Sequence, residues 1–272
     1  MSDDKIPCSV LILTRNSAES LEPCVKSAQR FGEILVHDAN SEDDSVEIAK
    51  KYGAKVLKQY DTEEKSVRLT NYTEMRFKQR DAAKYDWVFY MDSDEYLSEE
   101  AVEEVAEILK TADMKTLIHF PRFPIIGGRI RSHGAFFPEY HLRIHNRKGG
   151  CTLNNDVLVH EKYVYDETFN HVRVKSPMYT LIPTARELCE KDDHVIKLEI
   201  KRNIGRTWKK YFYWDVWRKI RSITSVILHM LWNYMRHGFK NSVPMRYELR
   251  TIRYHIKYVW QMTKYMLGRE RR

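Results

Sequence analysis

Asp92, Asp94 and Glu95 crowd into four residues, Asp92-Ser93-Asp94-Glu95, directly after the apolar run Trp87 to Met91. Three carboxylates so close repel one another unless positive charge sits among them. Alternate residues at the end of an extended strand point to the same side, so Asp92 and Asp94 can share a hard divalent cation through oxygen ligands. Mg²⁺ or Mn²⁺ keeps coordination positions open for diphosphate oxygens and can stabilise a departing diphosphate. The competing reading is that the acids cap the following helix together with Ser98. Their position after an apolar strand favours the metal.

Asp38 is the second informative acid, because it follows the apolar stretch Ile34-Leu35-Val36. A carboxylate there can accept a hydrogen bond from a nucleobase ring N–H, with Thr14 and Asn16 touching the same nucleoside. The alternative is a loop aspartate that makes a turn. The sequence has no GxGxxG and no GxxxxGK[ST], which removes support for dinucleotide and P-loop binding and leaves a sugar nucleotide.

Both acids need a scaffold that brings strand ends together. Cys8 to Thr14, Glu33 to Ala39 and Ala54 to Tyr60 read as short strands, and helical spacing lies between them. A helix is expected over about 70–83, leading into the strand Asp86 to Met91. Another follows Ser98, whose side chain is a plausible N-cap ahead of an acidic first turn. This rhythm predicts an α/β fold with a mainly parallel sheet, whose ligand crevice lies off the carboxyl ends of the strands. Residues from about 117 to 183 read as short strands and loops, and from Glu187 onward the pattern is helical.

Composition narrows the class. The chain has 272 residues, with ordinary apolar and charged fractions for a globular protein. Its four cysteines have no CxxC pairing, so neither a zinc site nor a disulfide framework is indicated and a reducing, cytoplasmic setting is expected. The first residues lack the layout of a secretory signal, and no segment approaches 18 uninterrupted apolar residues, so no membrane span is expected. The net charge of +8 hides a split: from Lys201 onward 18 Lys and Arg face 3 Asp and Glu, a local +15, whereas residues 1–200 carry −7.

Three segments together resemble the family 2 glycosyltransferases with a GT-A fold: Val10 to Ala28, Glu33 to Val56, and Lys78 to Glu100. The chain is most similar there to the bacterial group that adds a hexose to the lipopolysaccharide or lipooligosaccharide inner core. That group shows a QRN-like tripeptide, DADE at its metal site, an arginine segment after a Gly/aromatic/Pro turn, and VHE. Here these are Gln79-Arg80-Asp81, Asp92 to Glu95, the segment carrying Arg143, and Val159-His160-Glu161.

The resemblance implies a Rossmann-like mixed sheet flanked by helices, with a C-terminal helical extension. It implies that Thr14, Arg15, Asn16 and Asp38 line the nucleoside pocket, that Arg80 lies near the diphosphate, that Asp92 faces the ribose and metal, and that Asp94 is the principal Mn²⁺ or Mg²⁺ ligand. It implies an inverting displacement from a UDP-hexose such as UDP-glucose, with Glu161 as the base. Glu95, Arg143 and His160 become acceptor-side or supporting candidates; an ion pair for Glu161 and a scaffold role for His160 are the alternatives. Two departures stand out. Asn40 occupies the place of the glycine in the family's DxGSxD loop and is expected in the left-handed turn. A histidine often found after VHE is missing, with His171 several residues early and Lys175 as a possible substitute charge.

The expected domains are a GT-A domain over 1–185, with its nucleotide-sugar half at about 1–112 and acceptor half at about 113–185, and a basic, aromatic extension over 186–272. Tryptophans and tyrosines alternate with cations in that extension, a pattern that suits an anionic membrane surface and a glycan or lipid-linked acceptor at the cytoplasmic leaflet. The plainer alternative is that Trp208, Trp214, Trp217 and Trp232 are core residues. No nucleic-acid module is visible, so none is expected as partner. A catalytically silent GT-A-like binding protein, holding membrane or nucleic acid with its basic helices, is the competing function. A nucleotidyltransferase is disfavoured because Leu13 to Ser20 lacks a Gly-rich phosphate loop.

Overall fold

A computed structural model describes residues 5–134, 139–154 and 163–268 of the chain. The chain divides into two compact units, Met1–Arg122 with Glu139–Leu181, and Phe123–Pro138 with Ile182–Arg272.

The first unit opens with strand β1 (Ile6–Thr14), helix α1 (Ala18–Ser27), β2 (Phe31–Asp38), α2 (Ser45–Lys51) and β3 (Lys55–Lys58). Next come α3 (Tyr72–Ala82), β4 (Trp87–Asp92), β5 (Glu95–Leu97) and α4 (Glu99–Thr111). The chain then enters β6 (Thr116–Ile126), whose last residues form a hairpin with β7 (Arg129–Ile130) in the second unit, and the first unit resumes with β8 (Glu139–Asn146), β9 (Thr152–Leu153), β10 (Tyr163–Val164), β11 (Asn170–Arg173) and β12 (Met178–Leu181). Among the described residues the main sheet runs β3-β2-β1-β4-β8-β6-β12-β5. Its first four strands are parallel, and β8 lies antiparallel to both β4 and β6.

Strand alternation explains the core. Cys8, Val10 and Ile12 of β1 join Ile34, Val36, Phe89 and Met91 on one face, under Leu21, Val25, Val102 and Val105 of the covering helices. Leu11, Leu35, Val88 and Tyr90 face the other way and form a smaller cluster. Each such fully buried side chain contributes about 1.5–3 kcal/mol relative to exposure. Helix boundaries follow their caps. The Asn71 side chain accepts from Glu74 N at the start of α3, and Ser98 Oγ accepts from Ala101 N at the start of α4, as expected of Ser98.

In the second unit a capping box between Thr184 and Glu187 starts α5 (Ala185–Arg202). A short α6 (Trp208–Lys210) runs into a π-helical stretch, Tyr211–Trp217, and then α7 (Arg218–Asn241), which breaks at Gly238 with φ 70°. Helix α8 (Met245–Met266) follows. Ile196, Tyr211, Tyr258 and Met262 form the core of this unit. Asp215, buried within the π stretch, accepts from Arg206 Nη1 at 2.5 Å and from Tyr258 Oη at 2.8 Å.

Candidate active site

Strand register sets the rim of the sheet. Thr14 pairs with Asp38 across β1 and β2, and Leu13 pairs with Asp92 across β1 and β4. Three parallel strands therefore end almost flush, and their carboxyl-end loops meet. The loop after β1 is tied to the loop after β2: Asn16 N donates to Ser41 Oγ at 2.8 Å, and Glu42 N donates to Asn16 Oδ1 at 2.9 Å. It is tied to the loop after β4 through Ser93 Oγ, which donates to Ser17 Oγ at 3.0 Å. Residues 62–67 close the side, with Asn16 Nδ2 donating to Ser66 Oγ at 2.9 Å.

Asn16 and Asn40 both hold positive φ, 48° and 56°. Asparagine tolerates that left-handed conformation better than most residues. Asn40 thus takes the turn expected of it, and its amide donates to Thr62 O at 2.7 Å and Glu64 O at 2.8 Å. Asp38 is buried and accepts from Ser41 N at 2.8 Å and Ser41 Oγ at 2.5 Å. The turn-forming aspartate weighed from the sequence is therefore present, and a carboxylate has further lone pairs for a ligand. Thr14 is buried as well, and its hydroxyl has no partner among the described residues. Arg15 is exposed and lies 3.5 Å from Ser66.

Guanidinium groups sit among the crowded acids. Arg76 Nη2 donates to Asp92 Oδ1 at 2.8 Å, and Arg143 Nη2 to Asp92 Oδ2 at 3.1 Å. Arg143 also pairs with Glu95, which is fully buried and accepts from Asp92 N at 3.1 Å. Arg122 lies 3.9 Å from Glu95 and 3.2 Å from Glu139. Burial by itself would raise the Asp92 carboxyl, but the charges of Arg143 and Arg76 overcome it and hold the group well below the usual carboxylate range. At Glu95 burial dominates and pushes the carboxyl up, against the pull of Arg143. Desolvation opposes the charge on Arg143, yet Glu95 and Asp92 keep it firmly protonated.

Arg76 escaped the sequence reading, which selected Arg80. Arg80 turns to Asp81, with 2.9 Å between Nη2 and the carboxylate, and lies over the Phe77 ring. Arg76 is one turn earlier and buried, as is Gln79, whose amide donates to Ile12 O at 2.9 Å. The available signal was the pair Arg76 and Gln79 at i, i+3 on a helix leading to the acidic strand, polar residues on the face where apolar ones belong.

Asp94 lies in the turn between β4 and β5 and is partly exposed. Among the described residues no group of three or more His, Cys, Asp and Glu is arranged to cage a metal. With both Asp92 oxygens engaged by arginine, the donor set suits an ion held by Asp94 and completed by diphosphate oxygens. Mg²⁺-type sites are commonly built in this way, from one or two carboxylates plus substrate phosphates. His171 makes a 2.9 Å hydrogen bond with His119, and Lys175 N donates to Glu104. His160 and Glu161 lie outside the described residues.

A small cavity of about 220 Å³ adjoins the arginines, lined by Arg76, Tyr90, Tyr140, His141, Arg143 and Tyr163 among others.

A family model described as glycosyl transferase family 2 matches residues 9–175. An uncharacterized glycosyltransferase of Rickettsia bellii is 25% identical over 177 residues, covering 64% of this chain and 56% of the relative. Its counterpart in Rickettsia felis is 24% identical over 163 residues, covering 58% and 55%. The chain thus spans about half the length of the curated relatives it matches. Among solved structures, S. aureus TarS 1–349 in complex with UDP-GlcNAc aligns over 97% of this chain and 93% of its own, at 15% identity and a TM-score of 0.49.

Proposed function

Because the chain belongs to glycosyl transferase family 2 and has its mixed α/β, GT-A architecture, we propose that it moves a hexose from a UDP-hexose, such as UDP-glucose, to a glycan or glycolipid acceptor of the lipopolysaccharide inner-core type. A glycolipid acceptor would be presented at the cytoplasmic leaflet of a membrane. The observation that supports this best is the flush meeting of the β1, β2 and β4 ends, which gathers Thr14, Arg15, Asn16, Asp38 and Asp92 at one rim.

In this reading the nucleoside lies against Thr14 to Asn16, with Asp38 accepting from the base. Asp92, held by Arg76 and Arg143, faces the ribose, and Arg80 lies toward the diphosphate. Asp94 is the protein ligand for Mn²⁺ or Mg²⁺, which when bound would supply positive charge beside the departing diphosphate. The acceptor hydroxyl oxygen attacks the anomeric carbon as the bond to the diphosphate oxygen breaks, so the configuration inverts and UDP leaves. Glu161 takes the hydroxyl proton in that step. Arg143 and Glu95 act as positioning residues that hold Asp92, and His160 supports Glu161 from the neighbouring position. The transfer machinery occupies residues 1–185, and 186–272 form the basic extension.

The test is sugar transfer followed by mass spectrometry across the common UDP-hexoses, with an inner-core oligosaccharide as acceptor. Asp94→Ala is expected to lose about a hundredfold or more in turnover while staying folded. Glu161→Gln should keep donor binding and lose turnover on a similar scale. Unchanged transfer by Asp94→Ala would refute the metal role, and unchanged transfer by Glu161→Gln would remove it as the base.

A further inference from the structure

The apolar residues of α7 fall on two opposite faces. One face holds Val226 and Met230, which are buried, and Ser222, whose hydroxyl meets the His255 ring of α8 at 3.0 Å. At 3.6 residues per turn, Ile220, Leu228, Leu231, Trp232 and Met235 line the other face, continued by Trp217 at the end of the preceding π stretch. These six remain exposed, from 49% at Leu231 to 76% at Met235. Helix α8 repeats the arrangement, with Tyr258 and Met262 inside and Leu249, Ile256 and Trp260 outside. Soluble monomers rarely leave so long an apolar stripe uncovered, and one that is rimmed by polar groups marks a protein or membrane contact.

Charge decides which. Several cations of these helices are paired: Lys219 with Glu199, Arg250 with Asp192, and Arg253 and Lys257 with Asp193. Three others are not. Among the described residues Arg218, Arg236 and Lys264 have no acidic partner, and each lies over an exposed tryptophan instead. Arg218 is 4.7 Å from the Trp214 centroid, Arg236 6.0 Å from Trp232, and Lys264 5.3 Å from Trp260. Arg218 and Arg236 stand eighteen residues apart, five helical turns, and so share one azimuth at the edge of the stripe. A protein interface depletes charge at its apolar core. Indole rings beside unpaired cations suit the headgroup layer of an anionic bilayer, where the ring sits at the boundary and the cation on a phosphate. No helix among the described residues is long and apolar enough to cross a membrane, so the element would lie in the plane.

We propose that the outer stripe of α7 docks on an anionic lipid surface, with its tryptophan, leucine and methionine side chains at the acyl boundary and Arg218 and Arg236 on lipid phosphates. This deepens the transfer reading by naming where the chain meets the leaflet that presents a glycolipid acceptor. Vesicle binding tests it without donor or acceptor, so failure of sugar transfer leaves it standing, and the reverse also holds.

The experiment is co-sedimentation of the full chain with vesicles of phosphatidylcholine alone or mixed with phosphatidylglycerol. Binding should be at least tenfold tighter to the mixed vesicles, weaken with added salt, and shift tryptophan emission to the blue. The double variant Leu231→Gln with Met235→Gln replaces exposed side chains, so its circular-dichroism melt should match the parent while vesicle affinity falls at least tenfold. Arg218→Gln and Arg236→Gln should each cost roughly fivefold. The proposal is overturned if the folded chain ignores anionic vesicles or if the double variant binds them equally. It is also overturned if light scattering finds a dimer that the double variant dissolves, which would assign the stripe to a second copy.

Discussion

Arg143 touches two acids whose needs differ. Removing it leaves buried Glu95 with only the more distant Arg122, at 3.9 Å, and breaking one side of a buried pair costs about 3–5 kcal/mol. Glu95 can relieve part of that by holding a proton, since burial already pushes its carboxyl up. In Arg143→Ala the native state would then keep a proton that the unfolded chain releases, so stability falls as pH rises above the ordinary glutamate range. Urea denaturation of both chains should accordingly find the loss relative to the parent larger at pH 8 than at pH 6; a loss independent of pH would mean that Glu95 stays charged. The acids themselves were legible in the sequence, because three carboxylates after an apolar strand demand compensation. The identity of the compensating cations was not. Arg76 reaches Asp92 because of its azimuth on α3, and Arg143, singled out only by resemblance and for a supporting role, arrives from a strand some fifty residues away, facts that only the tertiary structure supplies.

At the scale of elements, local chemistry was a good guide wherever an element carries its own signal. Strands β1, β2 and β4 announce themselves by apolar runs, and α4 by the Ser98 cap. Ser98→Ala should therefore cost about 1 kcal/mol in thermal denaturation, and no change would mean that tertiary packing alone sets the start of α4. Asn40 makes a sharper case. Asn40→Gly keeps the left-handed turn but loses two amide hydrogen bonds, whereas Asn40→Val loses both and strains the backbone. The valine variant should be the less stable by about 1 kcal/mol or more in the same measurement. Less legible was the middle of the chain. It reads as short strands and loops, yet β6 runs eleven residues, and its partners β8 and β11 come from far along the chain. Pairing at that distance leaves no periodic trace in the strand itself.

Over the whole molecule, charge and buried histidine set the response to pH. His37 and His145 are almost wholly buried, and burial depresses both to about 4. The unfolded chain takes up these protons near pH 6.5 and the native chain does not, so each histidine withdraws stability as pH falls from 6.5 toward 4, by about 3 kcal/mol at the end of that window. The melting temperature should drop on acidification from pH 7 to 5, and His145→Phe should flatten the drop; an unaltered slope would show that His145 charges without unfolding. The +15 excess after Lys201 was visible in composition, but composition could not separate the paired cations from those lying over exposed tryptophan.

The central claim is that the joined ends of β1, β2 and β4 hold a nucleoside diphosphate through Asp94 and a divalent ion. Isothermal titration of UDP into the full chain, with and without Mn²⁺, tests it most directly. The account predicts that Mn²⁺ tightens binding at least tenfold in the parent chain and not in Asp94→Asn. A folded chain that takes up no UDP in either condition, or an Asp94→Asn variant with the same response to Mn²⁺, would contradict it.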